Sequence, residues 1–227
     1  MKVKIYFFLI HIVFYPLISY SQKVEIVKDS VCLLNECLTI QELNIIKPQI
    51  YNIIQTTFNL FDGTQIFTDY NERIKFKKKI LQDCNSFNDL RMITYGFEDY
   101  EIYFNKNNLL NVSITLQAYG SPYETTEYLM FDLKEDKEIG IRLFKYKRQL
   151  FNWCLKKTTN LENTKFLQLN NYLSQYQLIT NKEGDISNLE FIFRNPEDRT
   201  EVAVATFTYD EIKPFLKAKY LKYLNKK

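Results

Sequence analysis

Alternation of apolar and polar residues is clearest in the middle of the chain. Leu110, Val112, Ile114 and Leu116 alternate with Asn111, Ser113, Thr115 and Gln117. Successive side chains of a strand point to opposite faces, so this pattern predicts a half-buried strand with one greasy and one polar side. Just before it, residues 100–104 read as another strand and lead into Asn105-Lys106-Asn107-Asn108. Asparagine tolerates the positive φ of a tight hairpin turn. Residues 127–133, the polar turn 134–138 and residues 139–144 extend the run into an antiparallel meander. Upstream, Val24 and Ile26, then Leu38 and Ile40, predict two short strands around a turn containing Cys32 and Cys37. Downstream, strands are expected at 177–180, 188–194 and 201–207.

A different period marks the helices. Pro48 precedes Ile50, Ile53, Ile54, Phe58 and Phe61, spacings of three and four that predict a helix with the proline in its first turn. Ile74, Ile80, Leu81, Cys84 and Phe87 predict a second helix over 70–87. Its Lys75, Lys77, Lys78 and Lys79 read as a solvated face, with an anion site as the minor alternative. Tyr146, Leu150, Trp153 and Cys154 predict a third helix; Phe166, Leu169, Tyr172 and Leu173 predict a short fourth. At the C-terminus, Ile212, Phe215, Leu216, Tyr220, Tyr223 and Leu224 share one face of an amphipathic helix. Thr208 and Glu211 have capping-box spacing, and Pro214 asks for a start near Asp210. Runs of strands and runs of helices, rather than strict alternation, define an α+β protein of antiparallel meander sheets packed with helices. Two units are expected, residues 22–97 and 98–227.

The first 21 residues stand apart. Lys2 and Lys4 precede an apolar run over 5–18, and Ser19-Tyr20-Ser21 supplies small residues at the exit. A charged start, about 7–15 apolar residues and a small-x-small exit describe a secretory leader. The expected location is therefore secreted or periplasmic, with no membrane span once the leader is removed. His11, the one histidine of the 227 residues, goes with it. The formal net charge of +3 falls to about +1, since the leader carries two lysines and no acid. A chain so near neutrality gives no electrostatic case for nucleic acid.

Export makes disulfides permissible. Cys32, Cys37, Cys84 and Cys154 allow three pairings, with a short Cys32–Cys37 loop and a remaining Cys84–Cys154 pair as one scheme, and plain buried thiols as the other possibility. No zinc shell is expected, because no histidine and no second close cysteine pair complete one. No cofactor is expected either: Gly63, Gly96, Gly120, Gly140 and Gly184 are scattered and form no phosphate-cradling loop.

Two stretches carry a family resemblance. One is Tyr128-Leu129-Met130-Phe131-Asp132-Leu133-Lys134 with Ile139-Gly140-Ile141-Arg142-Leu143-Phe144. The other runs from Gln177-Leu178-Ile179-Thr180 through Glu183-Gly184 and Leu189-Glu190-Phe191-Ile192-Phe193 to Phe207-Thr208-Tyr209-Asp210-Glu211-Ile212-Lys213-Pro214-Phe215-Leu216. Together they resemble an uncharacterised exported bacterial domain found in the ectodomain of a lysozyme-sensing anti-sigma factor and in some peptidoglycan deacetylases. The resemblance covers about residues 100–216. Where family members carry a Gly-Gly-Ala-His-like loop, this chain reads Ala118-Tyr119-Gly120-Ser121-Pro122-Tyr123-Glu124 and has no histidine. The resemblance implies a partner in the envelope, either a protein of the lysozyme-like hydrolase class or peptidoglycan itself, and it transfers no catalytic residue.

Histidine-dependent triads and zinc hydrolases are excluded for the mature chain. The expectation is a non-enzymatic, monomeric binding module. Its candidate recognition patch is Tyr119, Tyr123 and Tyr128 with Glu124, rigid aromatics flanking a Gly-Ser-Pro loop. The main alternative is a glycan hydrolase built on paired carboxylates, drawn from Glu98, Asp99 and Glu101 or from Glu124 and Glu127. A periplasmic inhibitor or immunity-type protein is the third reading.

Overall fold

Three antiparallel sheets follow one another along the chain in the computed structural model, which describes residues 24–33, 36–58, 65–92, 96–158, 168–195 and 202–224. Residues 1–21, read from the sequence as a leader, and Phe61 and Phe166 lie outside the described residues. The first sheet is a hairpin of β1 (Glu25–Leu33) and β2 (Glu36–Asn44). Its register sets Cys32 opposite Cys37, and the two are joined in a disulfide. Cys84 and Cys154 are not bridged; they are buried thiols in two different apolar cores, so the second pair of the scheme does not form.

Helix α1 (Pro48–Thr57) starts at the proline, whose missing N–H costs nothing there. Its other first-turn donors are met from far along the chain: the Asp136 carboxylate accepts from the N–H groups of Gln49 (3.3 Å) and Ile50 (3.1 Å). Helix α2 (Tyr70–Asp83) is capped by Asp69, which accepts from Asn71 and Glu72 N–H. It ends before the expected residue 87, since Cys84 turns extended, and a short α3 (Phe87–Met92) follows. The middle sheet runs in sequence order, β3 (Gly96–Lys106), β4 (Leu109–Ala118), β5 (Glu124–Asp132) and β6 (Lys137–Glu138). Asn107 and Asn108 at the β3–β4 turn take φ of 55° and 62°, the left-handed conformations the sequence predicts.

Residues 139–144 do not form the expected strand. A 3-10 turn, Gly140–Leu143, replaces it, and Phe144 makes a single bridge to Leu216. Ile139, Leu143 and Phe144 are all buried in one core, which the alternation of a strand would forbid. Then come α4 (Lys147–Lys157), α5 (Leu169–Ser174) and the third sheet, β7 (Tyr176–Thr180), β8 (Ile186–Arg194) and β9 (Val202–Thr208). The C-terminal amphipathic segment is broken as well. It runs through α6 (Tyr209–Ile212), a 3-10 turn at Lys213–Phe215, an extended Leu216 and α7 (Ala218–Leu224). Pro214 cannot continue an α-helical ladder from α6. The capping box is present: Thr208 accepts from Glu211 N–H while the Glu211 carboxylate takes Thr208 N–H.

The middle sheet is shared between two cores. Tyr100, Leu110, Val112, Ile114, Leu129 and Phe131 pack with α1 and the first hairpin. Phe104, Leu109 and Met130 pack on the other side, with α4, α5 and the third sheet. A register shift between Ile102 and Phe104 moves β3 from one core to the other. The division expected at residue 97 falls inside β3.

The lysine run does not form a solvated face. Lys75 and Lys79 are exposed, but Lys78 pairs with Asp29 at 2.9 Å and Lys77 is only 2% exposed. Lys77 and Arg73, one turn apart on α2, point onto β2 and β3, where both meet Glu42 and Glu98. Lys77 to Glu98 is 2.7 Å and Arg73 to Glu42 is 2.9 Å. Tyr100 donates to Glu98 (3.0 Å) and Tyr51 to Glu42 (3.4 Å), completing a buried ion cluster.

Candidate binding face and cleft

The face of the middle sheet that turns toward the third sheet has two ends. At one end β7 covers it through Asn111, which is 0% exposed. The Asn111 side chain accepts from Leu178 N–H (2.7 Å) and donates to the carbonyls of Tyr176 (3.2 Å) and Leu129 (3.0 Å). The polar side expected for this strand is therefore buried here, because its amide does the bonding a β7 edge requires.

Toward the other end the same face opens. The register puts Asp99 beside Thr115, Glu101 beside Ser113, and then Thr126 and Tyr128 of β5 beside Thr115 and Ser113. These side chains are knitted together. Tyr103 Oη donates to Glu101 (2.8 Å) and lies 3.1 Å from Ser113 Oγ. Thr115 and Thr126 hydroxyls are 3.0 Å apart, and the Tyr103 and Tyr128 ring centres are 6.1 Å apart. Gln41 Nε2 donates to Asp99 from the first hairpin.

This face runs into a cleft of about 510 Å³ between the edge of β5 and the C-terminal unit. Residues 124–128 form one side; the end of α5 and residues 192–195 form the other. Gln175 spans it. Its Oε1 accepts Tyr128 N–H (2.9 Å), its Nε2 donates to Glu127 (2.7 Å), and its carbonyl accepts Ile192 N–H (3.0 Å). Burial pushes the Glu127 carboxyl above its ordinary range; the Gln175 amide pulls it partly back and the Glu138 charge raises it further. Burial likewise raises the Tyr128 hydroxyl, opposed by the Arg194 charge. Asp99, Glu101, Glu124 and Glu127 stand against one cation, Arg194, among the residues lining the face and the cleft. Among the described residues no three His, Cys, Asp or Glu side chains gather as metal ligands. No helix among them is long and apolar enough to cross a membrane.

The four patch residues read from the sequence are not brought together. Tyr128 and Glu124 line the cleft. Tyr119 packs instead beside Phe97, centres 6.2 Å apart, over the small core under α2. Tyr123 is 56% exposed on the turn, where its N–H donates to Ser121 Oγ at 3.1 Å. The carboxylate candidates separate as well. Glu98 is consumed by the buried ion cluster, whereas Asp99 and Glu101 lie on the open face. Glu124 and Glu127 are three residues apart on one strand, so the pleat sends them to opposite faces. Tyr103 is legible because it continues the alternation of Asp99 and Glu101, and Ser113 because it lies on the polar side of the strand read at 110–117, whereas Thr126 lies just outside the strand expected at 127–133. Gln175 and Arg194 come from distant segments and left no such mark.

This architecture is that of an α+β protein whose middle sheet has a core on one face and both a core and an open polar surface on the other. A DUF3298 family protein from Pseudomonas aeruginosa, known from its crystal structure, is similar to it, with a TM-score of 0.51 and 8% sequence identity over 86% of this chain and 94% of that one. At that identity the likeness shows the fold alone, and it extends to a domain of unknown function rather than to an anti-sigma or deacetylase setting. No family model and no curated protein matches the sequence.

Proposed function

We propose that the protein is an exported, non-catalytic binding module of the bacterial envelope, acting as a monomer. Its partner is a protein of the lysozyme-like hydrolase class or the cell wall. The observation that carries this reading is the open sheet face, where Asp99, Glu101, Tyr103 and Tyr128 stand on rigid strands with their hydroxyls and carboxylates already oriented. A hydrogen-bonded tyrosine and carboxylate surface suits a basic protein surface or a glycan, and nothing in it requires a reaction. The leader read from the sequence supports export, and the resemblance of residues 100–216 supports the envelope setting.

One observation favours a second reading. Glu127 carries a raised carboxyl in a cleft, which is what a general acid for glycan hydrolysis needs. The two readings separate in one experiment. Immobilised protein is incubated with an envelope extract and with isolated sacculi, captured proteins are identified by mass, and released glycan fragments are assayed. Stoichiometric capture without fragments is the expected result. Fragments that disappear with Glu127→Gln, in a protein that remains folded, would establish the hydrolase instead. A single very tight protein partner would point to the inhibitor or immunity-type reading.

A further inference from the structure

The cleft beside the open face is bounded by backbone as much as by side chains. All five consecutive residues 124–128 line it, which happens when a strand presents its edge rather than one face. The pairing explains why. β4 occupies one side of β5 along its length, but β6 covers the other side only at Phe131 and Asp132. Tyr128 N–H and the Met130 carbonyl both point away from β4, the first to Gln175 and the second to Ile139 N–H. N–H and C=O groups of alternate residues on a strand share that sense, so those of Glu124 and Thr126 also face the cleft. Across it, β8 continues past its last pairing with β7 at Tyr176–Phe191, and residues 192–195 line the far wall. The Gln175 side chain and carbonyl bond to Tyr128 and Ile192, taking the place a strand backbone would take.

We infer that this cleft receives an extended segment of a protein partner, added as a strand to the edge of β5, with Lys or Arg at alternate positions. This rests on the binding reading above and gives it a mode and a ligand chemistry. An unpaired edge is a template for strand addition, in which main-chain bonds supply affinity and alternate side chains supply selection. The charge follows from the walls. On an added strand, alternate side chains lie on the same face as Glu124, Thr126 and Tyr128, the face that also carries Asp99 and Glu101. The intervening side chains lie on the face of Glu127. The cleft itself is lined by two carboxylates, Glu124 and Glu127, and one guanidinium, Arg194, and Asp99 and Glu101 add negative charge two strands away on the same sheet face, so a basic segment is favoured over an acidic one.

The test uses the full protein and four fluorescent, end-blocked hexapeptides: Lys-Val-Lys-Val-Lys-Val, that peptide N-methylated at its lysine amides, that peptide N-methylated at its valine amides, and Glu-Val-Glu-Val-Glu-Val. The cationic peptide should bind by anisotropy, and the acidic one at least tenfold more weakly. N-methylation in one of the two alternate registers should abolish binding, because it removes the N–H groups that face β5. Thr126→Pro should abolish it too. Its N–H points away from β4, so proline there spares the β4–β5 ladder. Glu124→Lys is the second variant, expected to weaken binding at least tenfold if Thr126→Pro fails to fold. Binding unaffected by N-methylation in either register and by either variant would overturn strand addition while leaving the binding-module reading intact. Absence of cationic peptide binding up to millimolar concentration, in a protein that still captures an envelope partner, would overturn it equally. Loss of envelope capture by the unaltered protein would count against the binding-module reading instead.

Discussion

Two helix–sheet contacts in this molecule solve the same packing problem with opposite chemistry. Where α2 lies on the first hairpin and β3, the contact is made by Arg73, Lys77, Glu42 and Glu98, with Tyr51 and Tyr100 closing the ring of hydrogen bonds. Where α4 and α5 lie on the third sheet, it is made by Phe144, Tyr172, Tyr176, Phe191 and Phe207, with Trp153 at the margin. Aromatic packing gains by burying area and tolerates small shifts. The ion cluster gains little net stability, because desolvation offsets most of its attraction, but each member depends on all the others. The aromatic contact is therefore graded in its response to change, and the ionic one close to all-or-none.

The largest effects should expose that contrast. Arg73→Met leaves two carboxylates buried with one lysine and should cost about 4 kcal/mol. Phe191→Ala should cost about 4 kcal/mol by leaving a cavity. Denaturant unfolding of each variant gives the figure. Compensation is where they differ: replacing Arg73, Lys77, Glu42 and Glu98 together with apolar residues of similar volume should recover most of the loss. If that fourfold variant, made with Tyr51→Phe and Tyr100→Phe so that neither hydroxyl is left without an acceptor, is no more stable than Arg73→Met alone, the members of the cluster do not depend on one another.

Within the cluster the two acids are not equivalent. Burial pushes both carboxyls up. At Glu98 the charges of Lys77 and Arg73 outweigh burial and hold it below the ordinary 4.5. At Glu42 burial wins, and the Glu98 charge adds to the rise. Glu98, depressed on folding, contributes stability that is present above pH 4.5 and lost as pH falls through its folded value. Glu42, raised on folding, subtracts stability at neutral pH, and that cost is relieved as pH falls through its raised value. Glu98→Gln leaves two buried cations with one carboxylate and should cost about 3 kcal/mol at neutral pH. The deficit of Glu98→Gln should shrink only below pH 4.5 in a pH series of unfolding midpoints. A deficit that already shrinks at neutral pH would contradict a depressed Glu98.

The same contrast decides what the sequence could disclose. Apolar periodicity located most strands and helices, because a core of Leu, Ile and Phe leaves its period in the chain. It failed where burial did not depend on apolarity. Lys75, Lys77, Lys78 and Lys79 look alike as letters, yet only Lys77 stands one turn from Arg73 on the face that meets Glu42 and Glu98. Asn111 reads as a solvated position because nothing near it in sequence announces β7. The cleft is less legible still: Tyr128 belongs to the strand read at 127–133, Thr126 lies just before it, and Gln175 and Arg194 reach the cleft only through the pairing of the whole third sheet. Residues 139–144 were misread for a local reason, an apolar run too continuous to distinguish a strand from a buried turn.

Asn111 tests whether the two cores move as one. It is the polar joint between β4 and β7, bonding the Tyr176 carbonyl and the Leu178 N–H on the outer edge of β7 and also the Leu129 carbonyl, which already faces β4. Asn111→Ala should cost about 2 kcal/mol. Hydrogen exchange should quicken first at Leu178, whose N–H loses its acceptor. If exchange rises equally throughout both units, the joint is part of a single cooperative core rather than a seam between two.

The smallest expected effect places the two kinds of electrostatics side by side. Glu211 resembles Glu98 on paper, a carboxylate bound to a lysine, here Lys157 at 2.7 Å, and to the N–H of Thr208. Those hydrogen bonds hold its carboxyl low, as the cluster does for Glu98, but it stands in water. Its contribution is present above pH 4.5, falls away as pH drops through the lowered value, and is screened by salt in a way the buried cluster is not. Thr208→Ala removes the cap and should cost about 1 kcal/mol. Adding salt should lower the stability of the protein slightly and should narrow the gap between it and Glu211→Gln, while leaving the Glu98→Gln gap unchanged. A salt response equal for both would mean that water reaches the α2 cluster, and the ionic and aromatic contacts would then differ in composition alone.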